Sequence, residues 1–361
     1  MINYNKFLII GLLLGFLIVG DVAAQNENKA TISGRVVNYS TGLPLSYVNV
    51  FLTNTTKGST TNDDGHFLIR GVPPFGSYEL VASMMGFEIQ SQLIKLIKSD
   101  TLKVDFRLRP KVIQMQEVVV EAPDAKKWRK NLEIFKVELL GKTGNAFECV
   151  ILNPEVINFR IERNPYSLYA ETDVPLEIIN HALGYKIHTI LNYFKFENET
   201  CYYETKLQFV ELEAENTNQK KRWIKNRMKA YNGSLRHFIA ALTRLRLKAE
   251  GFSMYKRSIL DNDHNDSYLD KKHQLSLLQL GLHPFERRLK FKNYLKIIYK
   301  NEEDEIHSRN FQESFITLLQ DEVTITTSGQ IYEVLAVVNY GRWGEERLAE
   351  ELPLDYEPGK D

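Results

Sequence analysis

"ATISGRVVNYSTGLPLSYVNVFLTNTTKGSTTNDDGHFLIRGVPPFGSYELVASMMGFE" (residues 30–88) is a series of short β-rich runs cut by Gly, Pro, Asn and Asp. Ile32, Gly34 and Val36 mark one alternation, and Val48, Val50 and Leu52 mark another. A period of two gives each strand one buried face and one wet face. The spacing therefore predicts an all-β module over residues 30–110. Within it, "TNDDGHF" places Asn62, Asp64 and Gly65 as in a metal loop. A calcium loop needs more oxygen ligands and an acidic residue at its twelfth position, whereas a tight turn needs only Asp-Gly to supply positive φ. We read a turn.

The chain has 361 residues, which is room for two domains, and a formal net charge of zero. A neutral balance argues against a nucleic-acid partner. Lys6 precedes an apolar run from Phe7 to Val19, and Val22-Ala23-Ala24 then offers small residues before Gln25. This is the pattern of a secretory signal over residues 1–24, cleaved near Ala24/Gln25. The run is shorter than the roughly 20 apolar residues that span a bilayer, and nothing downstream approaches that length, so no transmembrane segment is expected in the mature chain. Export to the periplasm or the outer membrane follows. Only Cys149 and Cys201 are present, and an oxidising compartment leaves two outcomes open, one disulfide or two buried thiols.

The G-x-V, P-L-x-x-V-x-V, T-x-x-x-G-x-F and G-x-Y-x-L spacing of residues 34–80 resembles the carboxypeptidase regulatory-like domain. That resemblance implies a transthyretin-like/Ig-like β-sandwich and no peptidase activity of its own. The segment "KVIQMQEVVVEAPDAKKWRK" (111–130), with Val118, Val119 and Val120 before Pro123, is similar to the stretch that follows this domain in TonB-dependent outer-membrane receptors of Gram-negative bacteria. There it leads into a plug and barrel. Here too little chain remains for the many long alternating strands of a barrel.

Residues 131–361 read as an α+β domain, so the chain is multidomain. Strand-type runs recur at VINFRI, SLYAET, LEIIN, YKIHTILNYFKF and CYYETKLQFVEL, with Asn164-Pro165 as one of the turns. Two helices follow, separated at Gly233-Ser234, with Ser234 as N-cap and Gly251 placed to end the second. FKNYLKIIY, FITLLQ, EVTIT and IYEVLAVVNY return to strands, and "WGEERLAEELPLDY" closes with a short helix. The whole region resembles the C-terminal part of secreted Gram-negative (Bacteroidetes-type) proteins that carry a regulatory-like domain, for which no activity is implied.

"NGSLRHFIAAL" (232–242) raises the question of chemistry, since Ser, Arg and His fall within four positions at a helix start. A nucleophile elbow requires G-x-S-x-G, and Arg236 stands where its second glycine would be. A capped helix explains Ser234. It leaves Arg236 and His237 unexplained, because the positive end of the helix dipole disfavours cations there by about 0.3–1 kcal/mol. An anion at that terminus removes the cost, and it can be an internal carboxylate or a bound ligand. Ten cations from Lys220 to Lys248 run without an acid between them, interleaved with Trp223 and Tyr231. The candidate contact residues for an anionic glycan or lipopolysaccharide are accordingly Arg222, Arg227, Tyr231, Arg236 and His237.

Other signals are incomplete. His283 and Glu286 in "HPFE" have a zinc-peptidase spacing without a third ligand, and "DNDHND" (261–266) lacks the glycine and acid of a calcium loop. No P-loop or dinucleotide fingerprint occurs, so no cofactor and no metal are expected. The sequence reading is a non-catalytic envelope accessory protein that binds a glycan, an anionic component or a protein partner. The alternatives are a hydrolase of envelope glycan or peptide using His237, and a structural partner of an outer-membrane assembly.

Overall fold

The computed structural model describes residues 29–111, 125–163, 166–260 and 266–359. The signal segment, the valine run at 118–120 with Pro123, the Asn164-Pro165 turn and Asp261 to Asn265 of "DNDHND" lie outside the described residues.

The N-terminal part is a sandwich of two four-stranded sheets. One contains β1 (Ala30–Asn38), β4 (His66–Val72), β7 (Thr101–Lys103) and β8 (Phe106–Leu108). The other runs in the order β3 (Gly58–Thr60), β2 (Asn49–Leu52), β5 (Gly76–Ser83) and β6 (Gln90–Leu96). Ile32, Val36, Val50 and Leu52 meet Phe67, Ile69, Leu80 and Phe106 in one core, as the alternation predicts. Gly34 belongs to the same buried row, and a Cβ there would strike the Val104 carbonyl. The "TNDDGHF" segment is a turn in which the Asn62 side chain accepts from the His66 N–H at 2.8 Å and Gly65 has φ +76°.

One strand departs from alternation for a physical reason. β5 is buried along nearly its whole length because both of its faces are covered. Tyr78, Leu80 and Ala82 face the sandwich core, while Ser77 and Val81 are buried on the face that looks outward from it. The C-terminal region docks on that face through polar contacts: Lys206 to Glu79 at 2.5 Å, Asn49 to Gln208 at 2.7 Å and Lys95 to Glu286 at 3.3 Å.

Beyond the sandwich, α1 (Ala125–Leu140) packs on a six-stranded sheet. The helix was not anticipated, although Trp128, Leu132, Phe135 and Leu139 have the spacing of one helical face. A one-turn helix α2 (Gly144–Phe147) leads into β9 (Cys149–Ile151), followed by β10 (Ile157–Arg163), β11 (Tyr166–Thr172), β12 (Leu176–Asn180), β13 (Tyr185–Glu197) and β14 (Thr200–Glu211). The long β13 pairs along its length with β14, and on its other flank with β12 and then β11. Phe135 of α1 closes this core against Phe194, with ring centroids 4.8 Å apart.

Helices α3 (Thr217–Tyr231) and α4 (Leu235–Thr243) come next, and a second sheet contains β15 (Phe252–Arg257), β16 (Ser267–Tyr268), β19 (Tyr294–Tyr299), β20 (Gln312–Leu318) and β22 (Val337–Gly341). Helix α5 (Lys271–Ser276) precedes a small sheet of β17 (Leu278–Leu280), β18 (Glu286–Leu289) and β21 (Val323–Thr326). Phe238, Ile239 and Leu242 of α4 join Met254, Ile297 and Trp343 in a third core. Trp343 lies on the short α6 (Arg342–Glu345). The architecture is a sandwich followed by an α+β region. Among the described residues, no helix is long and apolar enough to cross a membrane.

Two expectations are corrected. Helix α4 stops at Thr243, well before Gly251, because Leu245 turns to φ +55° and the chain coils into β15. "IYEVLAVVNY" splits into a 3₁₀ turn at Val334–Ala336 and β22. Of the two outcomes open for the cysteines, Cys149 and Cys201 are free thiols. Cys149 aligns through β12 with the first residue of β13, whereas Cys201 pairs with Phe196 near its far end, and a disulfide needs Cα atoms within about 7 Å. Burial pushes both thiols up to about 12, which favours the protonated form.

The turn between β12 and β13 gives a paired stability test. Gly184 has φ +72°, and a Cβ there would lie 2.2 Å from the Trp223 indole, whereas Gly42 has φ +71° with open space around it. Gly42→Ala is expected to lose only the positive-φ preference, on the order of 1 kcal/mol. Gly184→Ala adds overpacking and is expected to cost roughly 2–4 kcal/mol. Urea unfolding of both variants checks this, and equal losses would contradict it.

Candidate functional site

The α3–α4 junction that the sequence singled out is a structural lock. Gly233 turns the chain at φ +75°, and Ser234 caps α4 by accepting from the His237 N–H at 3.1 Å. Arg236 in the first turn is hydrogen-bonded from within the chain. Its guanidinium donates to the carbonyls of Pro353 at 2.7 Å, Leu354 at 2.8 Å and Tyr356 at 3.2 Å, with Ser328 at 3.3 Å. The partner at the helix start is thus a row of backbone carbonyls, where a carboxylate or a ligand was expected. Asp355 and Glu351 add attraction from nearby.

His237 is buried, and both ring nitrogens are engaged. Nδ1 accepts from the Gly233 N–H at 3.1 Å, which assigns the proton to Nε2, and that proton goes to Glu250 at 2.9 Å. The ring stacks on Tyr231 at 4.9 Å and meets Phe252 edge-on. Burial pulls its pKa below the usual 6.5, against the opposing pull of Glu250.

The arginines of α3 serve the turn between β12 and β13. Arg227 is buried, donates to the Leu183 carbonyl at 2.8 Å and to Glu211 at 2.5 Å, and lies 4.1 Å over the Tyr185 ring. Arg222 donates to the His181 carbonyl at 3.1 Å and pairs with Glu148 at 3.2 Å. Trp223 and Asn226 bond the same turn. Lys220, Lys221 and Lys225 remain exposed on α3, with no side-chain partner among the described residues.

The sequence reading missed a cleft of about 740 Å³ between β14 and β22, which holds Tyr203, Tyr340, Glu346 and Glu351 along with the predicted Tyr231 and Arg236. Arg222, Arg227 and His237 lie outside it. Glu346 is raised by burial to about 7, with Arg342 at 2.7 Å holding it down, and Glu350 is raised by burial against its bond from Asn145 at 2.8 Å. Glu351 is raised by burial, opposed only by Arg236, and no hydrogen bond reaches its carboxylate among the described residues. It is exposed to solvent where it lines the cleft. The cleft's cations are spent: Arg347 bonds Glu138 at 2.5 Å and Lys142 pairs with Glu345 at 3.3 Å. No sequence signal linked the tail acids to Tyr203, because only the fold brings β14 beside β22.

Among the described residues, no group of His, Cys, Asp and Glu is arranged to hold a metal. Glu286 of "HPFE" is buried and accepts from the His283 N–H at 3.1 Å and the Tyr332 hydroxyl at 3.2 Å. Asp266 is held by Arg257 at 2.7 and 2.8 Å.

The His237 geometry sets a pH dependence. A folded pKa below the unfolded 6.5 means that the stability from neutral His237 is present above 6.5 and is lost as pH falls through the folded value. Wild type is therefore expected to lose stability relative to His237→Gln between pH 7.5 and 5.5, with the ring observed by NMR as the Nε2–H tautomer at pH 7. A His237 titration at or above 6.5 would contradict this.

Comparison with known proteins bears mainly on the N-terminal part. Residues 32–120 match the CarboxypepD_reg-like domain model. Over 112 residues the chain is 34% identical to TonB-dependent receptor P39 of Formosa agariphila, a match covering 31% of this chain and 10% of that receptor. Among solved structures, a DUF3823 family protein from Parabacteroides merdae aligns at 12% identity and TM-score 0.19, over 54% of this chain and 85% of that one. A type II cohesin–X-dockerin complex from Acetivibrio cellulolyticus aligns at 23% identity and TM-score 0.19, over 21% of this chain and 52% of that one. Neither likeness bears on function. The match over residues 32–120 identifies the N-terminal sandwich as a CarboxypepD_reg-like domain, as its glycine, proline and valine spacing implied.

Proposed function

We propose that this chain is an exported, non-catalytic accessory protein of the bacterial envelope, periplasmic or outer-membrane-associated, that binds a glycan or a protein partner in the cleft between β14 and β22. The observation that carries the reading is the cleft itself: about 740 Å³, walled by Tyr203, Tyr231 and Tyr340, with carboxylates and an arginine among its polar groups. Concave sites of this size with few convergent polar groups are where ligands are held. Export is supported by the N-terminal apolar run and by the resemblance to part of a TonB-dependent receptor. The hydrolase alternative loses its general base, since a base must reach its substrate and His237 is buried with both nitrogens occupied.

A second reading has its own observation. Lys220, Lys221 and Lys225, exposed and without an ion pair among the described residues, suit an anionic surface such as lipopolysaccharide. The two separate by salt and by site. Purified mature protein is titrated against neutral envelope oligosaccharides, peptides and lipopolysaccharide at low and high salt, beside a cleft-filling Val338→Trp and a Lys220/Lys221/Lys225→Ala variant. The cleft reading expects saturable, salt-tolerant binding weakened roughly tenfold or more by Val338→Trp. Salt-sensitive binding lost only in the lysine variant favours the second reading, and no binding in any arm contradicts both.

A further inference from the structure

Two features of the cleft point to one kind of ligand. The first is the outer edge of β14. At its C-terminal end the Leu207 carbonyl accepts from the Asn54 N–H at 2.6 Å, and the Phe209 N–H donates to the Thr55 carbonyl at 3.0 Å. The sandwich loop thus already adds a short parallel bridge to this edge, between Thr55 and Gln208. Strand alternation places the N–H and C=O groups of Cys201, Tyr203 and Thr205 on the same outer side. None of these three edge residues has a backbone partner there among the described residues. They line the cleft. A row of free donors and acceptors at strand spacing is a template for another backbone.

The second feature is charge. Arg236 is bound to carbonyls, Arg347 to Glu138, and Glu346 to Arg342, which leaves the Glu351 carboxylate without a hydrogen bond among the described residues. Glu351 and Tyr203 line the same cleft, so this carboxylate and the edge of β14 face one cavity. Val334 and Leu335, both exposed and apolar, line the same cleft.

We infer that the cleft binds an extended peptide, which adds to the edge of β14 over Cys201–Thr205 in the lane that Asn54 and Thr55 occupy further along. A lysine or arginine of the peptide pairs with Glu351, and apolar side chains rest on Val334 and Leu335. This rests on the cleft being the binding site and names its ligand class. Bonds between main chains supply affinity, and the carboxylate supplies selectivity.

The test uses the mature full chain. A random linear peptide display library is panned in parallel on wild type, Thr205→Pro and Glu351→Gln, and enriched peptides are synthesised for fluorescence anisotropy. Thr205→Pro removes one outward N–H and no bond to β13, a change an edge strand accommodates. Glu351→Gln removes the charge and leaves the edge intact, so it tests selectivity even if the proline variant folds poorly. Wild type is expected to enrich peptides with a Lys or Arg among alternating apolar residues, Thr205→Pro to weaken them about tenfold or more, and Glu351→Gln to lose the preference for Lys or Arg over Gln by about tenfold. Enriched peptides that bind both variants as well as wild type would overturn the inference. So would the absence of enrichment; if oligosaccharide still binds in a Val338→Trp-sensitive way, the cleft reading survives, and if neither ligand class binds, both fall.

Discussion

The guanidinium of Arg236 joins three parts of the chain, the start of α4, the C-terminal segment and, through that segment, the sandwich. It starts α4, and it gathers the carbonyls of the segment from Pro353 to Tyr356. That segment reaches the sandwich: the Leu354 N–H donates to the Asn54 carbonyl at 2.7 Å, and Asp355 accepts from the Thr56 N–H at 2.8 Å and pairs with Lys57 at 3.3 Å. Asn54 and Thr55 in turn bond the edge of β14. A charged donor on several carbonyls is stronger than a neutral hydrogen bond, and leaving such a charge unpaired in this setting is costly. The lock therefore fixes the C-terminal segment, the docking of the sandwich and one wall of the cleft together.

This arrangement also accounts for a cationic first turn. Helix dipoles disfavour Arg and His at an N-terminus, and here the opposing field comes from the oxygens of the C-terminal backbone. His237 avoids the cost in another way, by remaining neutral with Nε2–H directed at Glu250. The same economy governs α3, whose Arg222 and Arg227 are fastened to the carbonyls of the turn between β12 and β13. Arg222, Arg227 and Arg236 of what reads as a basic patch are thus internal scaffolding, while Lys220, Lys221 and Lys225 are solvated.

How far the sequence carries depends on the range of each interaction. Ile32, Val36, Val50 and Leu52 announce the sandwich because alternation is local, and Ser234 announces its helix because a cap bonds within one turn. The face of α1 was equally local and legible in Trp128, Leu132, Phe135 and Leu139. Gly251 misled, since an earlier positive φ at Leu245 ended the helix first and a glycine signal does not exclude another stop upstream. The buried second face of β5 could not be read, because a docked neighbour leaves no period in the strand it covers. The cleft was least legible of all. Tyr203, Arg236 and Glu351 acquire a common meaning only when β14, the start of α4 and the tail meet.

The lock is tested most directly by hydrogen exchange in Arg236→Met, followed at the amides of Asn54 and Leu354. Faster exchange at both, with unfolding free energy reduced on the order of 2–4 kcal/mol, is the result this account predicts. Unchanged protection at Leu354 and Asn54 in a folded Arg236→Met would contradict it, and would mean that the C-terminal segment is held without this guanidinium.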